Sequence, residues 1–307
     1  MRNQRSVIVI SITPFHADGS LDEGGYRAHL RRLAEAGVTV YVAGSGTSEA
    51  YTFTREERER VLDISVEELK GKVPVRAMGC EPRTANEMLD YLRAAEKAKV
   101  DAAQIFSLEI GHGTHPSPAE MELYYDTVIS QTDLPVIIST HRVSGYIVPL
   151  DVIERMAKRH DNVLGVAYGG LEIPYLGELV RRLGDRLEIH CAGPANAMAS
   201  LSLGANGFMG GEGNFAPHLV ASVIKAYDAG DQQAVTQSFG TLMAFAHVYN
   251  RYGAHSARGL KPLMQAYGLP SGPLRPPRLP ITDAELKDML RQVALLDIPG
   301  IPAHPQA

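Results

Sequence analysis

The chain has 307 residues, 45% of them apolar and 21% charged, with a formal net charge of −5. That is enough sequence for a substantial core, in one large domain or in a large and a small one. Acidic and basic residues are interspersed without a basic stripe, which argues against nucleic acid as a partner. No apolar run reaches the roughly 18 residues needed to span a bilayer, which argues against a membrane partner. The two cysteines, Cys80 and Cys191, are too few for a disulfide framework and fit a cytoplasmic location. The basic residues are 22 Arg and only 8 Lys, and no lysine falls between Arg159 and Ile224.

The N-terminus, "MRNQRSVIVISITPF", is basic and then apolar. The apolar part is short, contains polar residues and lacks a small-residue cleavage site, so it reads as a first strand rather than a signal peptide. Near-continuous apolar runs follow at 38–46, 73–79, 101–109, 134–141, 162–169, 187–193 and 206–214, after the first at 6–15. Such runs are expected of parallel strands buried on both faces. Amphipathic helices separate them. In "LDEGGYRAHLRRLAEAG" a stripe of Tyr26, Leu30, Leu33 and Ala34 ends at Gly37, and Thr54 with Glu57 has capping-box spacing. Eight strand–helix units with no break in composition predict an α/β fold, a (β/α)8 TIM barrel over residues 1–218. Beyond that the strands stop, and the pattern predicts a C-terminal helical subdomain at 219–297 and a flexible tail at 298–307.

Active sites of such barrels lie at the carboxyl ends of the strands. That rule selects Ser45, Gly46, Thr47, Ser48 and Glu49 after the second strand, and Glu109, His112 and His115 after the fourth. It selects Ser139, His141 and Arg142 at the fifth, Tyr168 at the sixth, Cys191 at the seventh, and Glu212 with Asn214 at the eighth. Side chains alternate along a strand, so residues 105, 107 and 109 share one face of their strand, as do 137, 139 and 141 of theirs. If Ala167 faces inward, Ser139, His141 and Glu109 are expected to do so too. Glu109 and His141 then serve as general acid and base once burial moves their pKa values toward neutrality. The alternative is structural: His141 satisfies a backbone group and Glu109 pairs with Arg142. "GSGTSE" offers N–H groups and hydroxyls suited to a carboxylate or phosphate. The histidines of "EIGHGTH", with His141, His190 and Glu212, are of metal-ligand types. His190 alternates away from the side to which Cys191 points, and neither a metal nor another cofactor is expected.

Taken in order, these segments resemble the dihydrodipicolinate synthase / N-acetylneuraminate lyase superfamily. The likeness runs from about residue 6 to 297. It rests on "ITPFHADGSLDEGGYRAHLRRLAEAGVTVYVAGSGTSEAYTFTREERERVL", "KVPVRAMG", "LPVII", "NVLGV", "LGANGFMGGEGNFAP" and "LKPLMQAYGLPSGPLRPPRLPIT". The resemblance implies a (β/α)8 barrel assembled as a homotetramer, a dimer of dimers, that binds pyruvate or another 2-oxo acid. In the family a sixth-strand lysine forms a Schiff base, a fifth-strand tyrosine relays protons and a Gly-Thr-Thr turn holds the carboxylate.

The transfer to this chain is partial. Ser45, Gly46, Thr47, Ser48 and Glu49 match the turn in altered form. The tyrosine position aligns with Ser139, a fourth-strand Tyr-Tyr pair aligns with Glu109 and Ile110, and Arg142 aligns with the family arginine only across a gap. The family's Gly-(Ile/Val)-Lys aligns with Gly165-Val166-Ala167, so the amine nucleophile is missing. Three readings follow. The first is an enzyme on a small carboxylate or 2-oxo-acid-derived substrate, with Glu109, His141 and Tyr168 catalytic and Ser45, Gly46, Thr47, Ser48, Ser139, Arg142, Met209 and Glu212 binding. The second is an inactive paralogue that binds a metabolite or partner. The third is a metal-dependent aldolase-type lyase.

Overall fold

A computed structural model describes residues 4–253, 257–303 and 305. Eight parallel strands, β1 (Ser6–Ile10), β2 (Thr39–Val42), β3 (Val75–Ala77), β4 (Ala102–Ile105), β5 (Val136–His141), β6 (Val163–Gly169), β7 (Glu188–Ala192) and β8 (Gly207–Gly210), close in sequence order into a barrel. The helices are α1 (Glu23–Glu35), α2 (Arg55–Leu69), α3 (Ala85–Ala98), α4 (Pro118–Ile129), α5 (Leu150–Arg159), α6 (Ile173–Leu183), α7 (Ala197–Ser202) and α8 (Pro217–Asp228), followed by α9 (Gln232–Arg251), α10 (Ala257–Ala266) and α11 (Asp283–Val293). Among the described residues no helix is long and apolar enough to cross a membrane. The expected tail at 298–307 falls partly outside the described residues, although Ile298 itself is buried.

Val75–Met209 make up most of one compact unit, and Ser6–Pro74 with Gly210–Ala307 make up the other. In the first, the strand register sorts side chains into two sets. Thr140, Tyr168, Cys191 and Phe208 pair across β5 to β8 and face the helices. Thr140 Oγ1 accepts from Val148 N, the Tyr168 ring stacks on Tyr175 of α6, and Cys191 Sγ donates to Ser200 Oγ of α7. The alternate residues face the other way. Arg76 and Glu188 form an ion pair at 2.7 Å, and because β3 and β7 are not neighbours in the strand order, that pair runs through the space the strands enclose.

In the second unit the capping box is present, with Glu57 N donating to Thr54 Oγ1 and Thr54 N to Glu57 Oε2. Gly37 ends the first helical segment with φ of 72°, as its position predicts. Asn214 accepts from Ile12 N (2.9 Å), donates to the carbonyls of Ile10 (2.7 Å) and Gly211 (2.8 Å), and meets His29 Nε2 (2.9 Å). It thereby ties the end of β1 to the turn after β8. A second tie joins Phe15, Glu49 and the C-terminal Pro-rich segment. Lys261 Nζ lies 2.5 Å from Glu49 Oε1 and donates to Pro273 O at 2.9 Å. Arg275 pairs with both oxygens of Glu57, and Lys261 and Arg275 both lie over the Phe15 ring. Gly272, at φ of 65°, is required here because a Cβ would lie 2.1 Å from Phe15 O.

Several observed strands stop short of the predicted runs: β2 ends at Val42 and β4 at Ile105. The residues beyond leave the sheet and become the loops that carry most of the candidate polar groups.

Candidate active site

Ser139, Ala167, His190 and Gly207 form one row across β5, β6, β7 and β8. The row before it contains Gln104, Ile137, Gly165 and Glu188. The row after it pairs His141 with Gly169 and Ala192 with Met209. All three rows lie on the face of the Arg76–Glu188 pair, since partners in register and alternate residues along a strand share a face. This face is unlike the helix-facing one. Arg76, Gln104, Ser139, His141, Glu188 and His190 are interleaved with Ala102, Gly165, Ala167, Gly169 and Gly207, so polar groups alternate with residues too small to cover them.

Two details define the row of Ala167. Ser139 is fully buried and its Oγ has no hydrogen-bond partner; Gln104 Oε1, one row earlier, is also buried without one. A buried unpaired polar group costs about 1–3 kcal/mol, so neither is favourable without something to bond to. His190, also buried, has its pKa pushed down from 6.5 to about 3, first by burial and then by the Arg76 charge, and its ring is neutral at physiological pH. In the next row the His141 imidazole lies against Gly169. A Cβ at 169 would sit 2.1 Å from His141 Cδ2, so only glycine admits the ring there.

The expectation that Glu109 shares this face is not met. In the register of β4 it is Gln104 that pairs with Ile137 on the inner face. Ser107 belongs to the opposite set, with its Oγ toward Ser139 O and the Tyr125 hydroxyl of α4. Glu109 lies past the end of β4, is exposed, and accepts from Gly111 N at 3.1 Å. Nor does it pair with Arg142. Arg142 is exposed and bonds Glu172 at 2.8 Å. Tyr168 lies on the helix-facing side, its hydroxyl accepting from Glu172 N and donating to Glu172 O. Burial raises that hydroxyl to about 12. Tyr168, Arg142 and Glu172 thus form one brace over the ends of β5 and β6. Cys191 is a buried thiol raised to about 11 by burial, set against α7. His115 packs on Tyr146 and sits 2.7 Å from where a Cβ on Gly145 would be.

The 45–49 turn is in the other unit. Ser45 is half-buried, Gly46 exposed, and Thr47 and Ser48 buried. Glu49 N donates to Gly46 O and Ala50 N to Gly44 O. Ala43 and Glu49 flank the turn with φ of 57° and 59°, a left-handed conformation uncommon outside glycine and often found at functional sites. Ser48 Oγ is spent on Ser11 O at 2.5 Å, and Thr47 Oγ1 lies against Gly211, 3.4 Å from where its Cβ would be. Glu49, the last residue of the turn, is taken by Lys261 and by Arg275 N. In the turn after β8, Glu212 folds back over Gly210 and is buried. Burial raises its carboxyl from 4.5 to about 7. Among the described residues no cluster of three His, Cys, Asp or Glu side chains is arranged to hold a metal ion.

Of the chain's eight lysines, seven are exposed, and Lys261, the one buried, is the partner of Glu49. Burial lowers Lys261 from 10.5 to about 8, against the opposing pull of Glu49.

The chain matches the model of the dihydrodipicolinate synthetase family over residues 3–295. It belongs to that family. It is 28% identical over 301 residues to a probable 5-dehydro-4-deoxyglucarate dehydratase of Bradyrhizobium diazoefficiens, covering 96% of this chain and 93% of that one. It is 25% identical over 289 residues to a 4-hydroxy-tetrahydrodipicolinate synthase of Methanosarcina acetivorans, covering 94% and 96%. Among solved structures, a prophage protein of the family from E. coli K12, in complex with pyruvate, superposes with a TM-score of 0.87 at 22% identity, covering 96% and 99%. At that identity the likeness establishes the shared fold.

His190, Gln104 and the Arg76–Glu188 pair were not chosen by inspection of strand ends. The signal for them was present in the sequence: polar residues two apart inside short apolar runs, as in "EIHCA" at 188–192.

Proposed function

We propose that this protein is a lyase-type enzyme of its family, a dehydratase or aldolase-like catalyst acting on a small carboxylate or 2-oxo-acid-derived substrate without a Schiff base. The observation that carries this reading is the row of Ala167. Alanine stands where the family resemblance places the lysine, and the flanking side chains are polar rather than apolar. The one buried lysine is held by a carboxylate. What remains is general acid–base chemistry, worth roughly 10²- to 10⁴-fold, and a fixed polar surface. His141, seated on Gly169, is read as the proton carrier. The Tyr168–Glu172–Arg142 brace positions the loops after β5 and β6, and Glu109 stands at their exposed rim. The 45–48 turn is read as a carboxylate-binding element from its resemblance and its left-handed flanks. Similarity to a probable 5-dehydro-4-deoxyglucarate dehydratase supports a dehydratase-type reaction on an oxo acid. Assembly as a homotetramer in the cytoplasm belongs to the same reading.

A second reading, an inactive paralogue that binds a metabolite, is favoured by the small size of Ala167 and Ser139, which is what loss of function leaves behind. The experiment that separates them is a panel of 2-oxo acids and sugar-derived oxo acids, followed both by melting temperature and by product formation. The enzyme reading expects a ligand-dependent rise in melting temperature together with turnover of at least one compound. A rise without turnover across the panel supports the second.

A further inference from the structure

We infer that His190 and Ser139 together form the electrophilic site of this enzyme: over the methyl of Ala167, an imidazole N–H and a serine O–H hold the carbonyl oxygen of a 2-oxo acid and stabilise it as an enolate. The inference rests on the lyase reading above and names the groups that would replace the lost electron sink.

The geometry is that of the row. Ser139 pairs with Ala167, and Ala167 with His190, on three adjacent strands. A strand spacing of about 4.8 Å puts the outer two backbones about 10 Å apart, with only a methyl group between them. A lysine at the middle position would run its stem through that gap. Alanine removes that stem, so the side chains of Ser139 and His190 flank a position occupied only by a methyl group. Ser139 supplies the independent sign of a ligand. Its hydroxyl is fully buried, lies on this face and has no partner.

The chemistry of His190 fits an electrophile rather than a base. A neutral imidazole has one N–H to donate and holds no charge that must be lost when the oxygen becomes anionic. Burial first, and then the Arg76 charge on the same face, keeps it neutral. Arg76 disfavours a second positive charge nearby, and Glu188 balances Arg76. Both His190 and Ser139 thus act at the oxygen, and the proton is left to a separate group. In the step itself, the C–H bond next to the carbonyl breaks and its proton passes to His141. The electron pair forms the C=C bond, and the carbonyl π pair moves to the oxygen held by His190 and Ser139. Return of a proton from His141 reverses the step, and in D₂O it returns deuterium.

The probe is pyruvate alone, which needs no second substrate. Loss of its methyl signal in D₂O is followed by ¹H NMR with the full-length protein, and binding by melting temperature. The wild type is expected to exchange the methyl protons. Removing one donor to a developing oxyanion costs roughly 10²- to 10³-fold, so His190→Leu is expected to slow exchange by that factor. His190→Gln, which keeps an N–H donor, should lose less. Ser139→Ala provides a second variant expected to fold, because its hydroxyl bonds to nothing, and it too should slow exchange while pyruvate still binds. If the wild type exchanges and both His190→Leu and Ser139→Ala exchange at the same rate, the inference is wrong and the lyase reading stands. If the wild type neither binds pyruvate nor exchanges it, the 2-oxo-acid reading fails and the inference fails with it.

Discussion

Two buried polar regions of this chain treat their polar groups in opposite ways. Around Glu49 and Lys261 each charge has a counter-charge or a carbonyl: Glu49 has the Lys261 ammonium as an ion pair at Oε1, with no hydrogen bond there, and takes Arg275 N at Oε2; Lys261 also takes Pro273 O, and Arg275 takes Glu57. In the row of Ala167, by contrast, the Ser139 hydroxyl is paired with nothing and Gln104 Oε1, one row earlier, is equally unpaired. A satisfied buried network fixes a conformation, while an unsatisfied one carries a cost that a hydrogen-bonding partner, a ligand or a water, removes. The one buried lysine of the chain is thus held by a carboxylate in the first region, while alanine stands at the middle of the row in the second.

Breaking each region should give a different signature. The largest effect is expected in the first. Lys261→Met leaves Glu49 buried without its counter-charge and should cost about 3–5 kcal/mol in a denaturant titration. Adding Glu49→Gln to it should restore part of that loss, because the two sites are coupled. In the second region, Gly169→Ala drives a methyl into the His141 ring. Pyruvate exchange should fall by about 10²-fold, with a stability cost of only about 1–3 kcal/mol.

The next effect depends on pH. Glu212 has a folded-state pKa raised by burial to about 7, so its contribution to stability is complete below its ordinary value of 4.5 and is lost as pH rises through 7. Glu212→Gln should therefore stabilise the protein by about 1–3 kcal/mol at pH 8 and change little at pH 4. The buried histidines His29 and His190, both lowered to about 3 by burial, have the opposite sign. Their contribution is intact above 6.5 and is lost as pH falls from there toward 3. A stability profile of the Glu212→Gln variant should accordingly keep its acid limb and lose its alkaline decline. The smallest effect is the most discriminating for the comparison. Ser139→Ala removes a hydroxyl that bonds to nothing, so stability should stay within about 1 kcal/mol of wild type or rise. A loss of several kcal/mol would show that Ser139 belongs to a satisfied network after all.

The barrel was legible because the period of short apolar strand, turn and amphipathic helix repeats, and because local signals such as the Thr54–Glu57 box and Gly37 agree with it. Alternation along a strand was legible too, and Ser139 and His141 do share the face of Ala167. The phase of alternation was not legible from one strand alone. In β4 it is set by the register that puts Gln104 beside Ile137 and by Ser107 bonding toward α4, so residues 105 and 107 turn away from the face expected to carry Glu109. Tyr168 illustrates the same limit: the strand end was found, and stacking on Tyr175 decided its side. The Glu49–Lys261 pair had no local signal, since its partners are far apart in the chain and meet only after folding.

The central claim is that the carbonyl of a 2-oxo acid is held by hydrogen bonds and not by an amine. Its most direct test is intact-mass spectrometry with peptide mapping after treatment with pyruvate and borohydride, under the conditions in which pyruvate exchange is observed. An unchanged protein mass is expected. A reduced adduct on Lys261, or on any other lysine, appearing in step with exchange would contradict it.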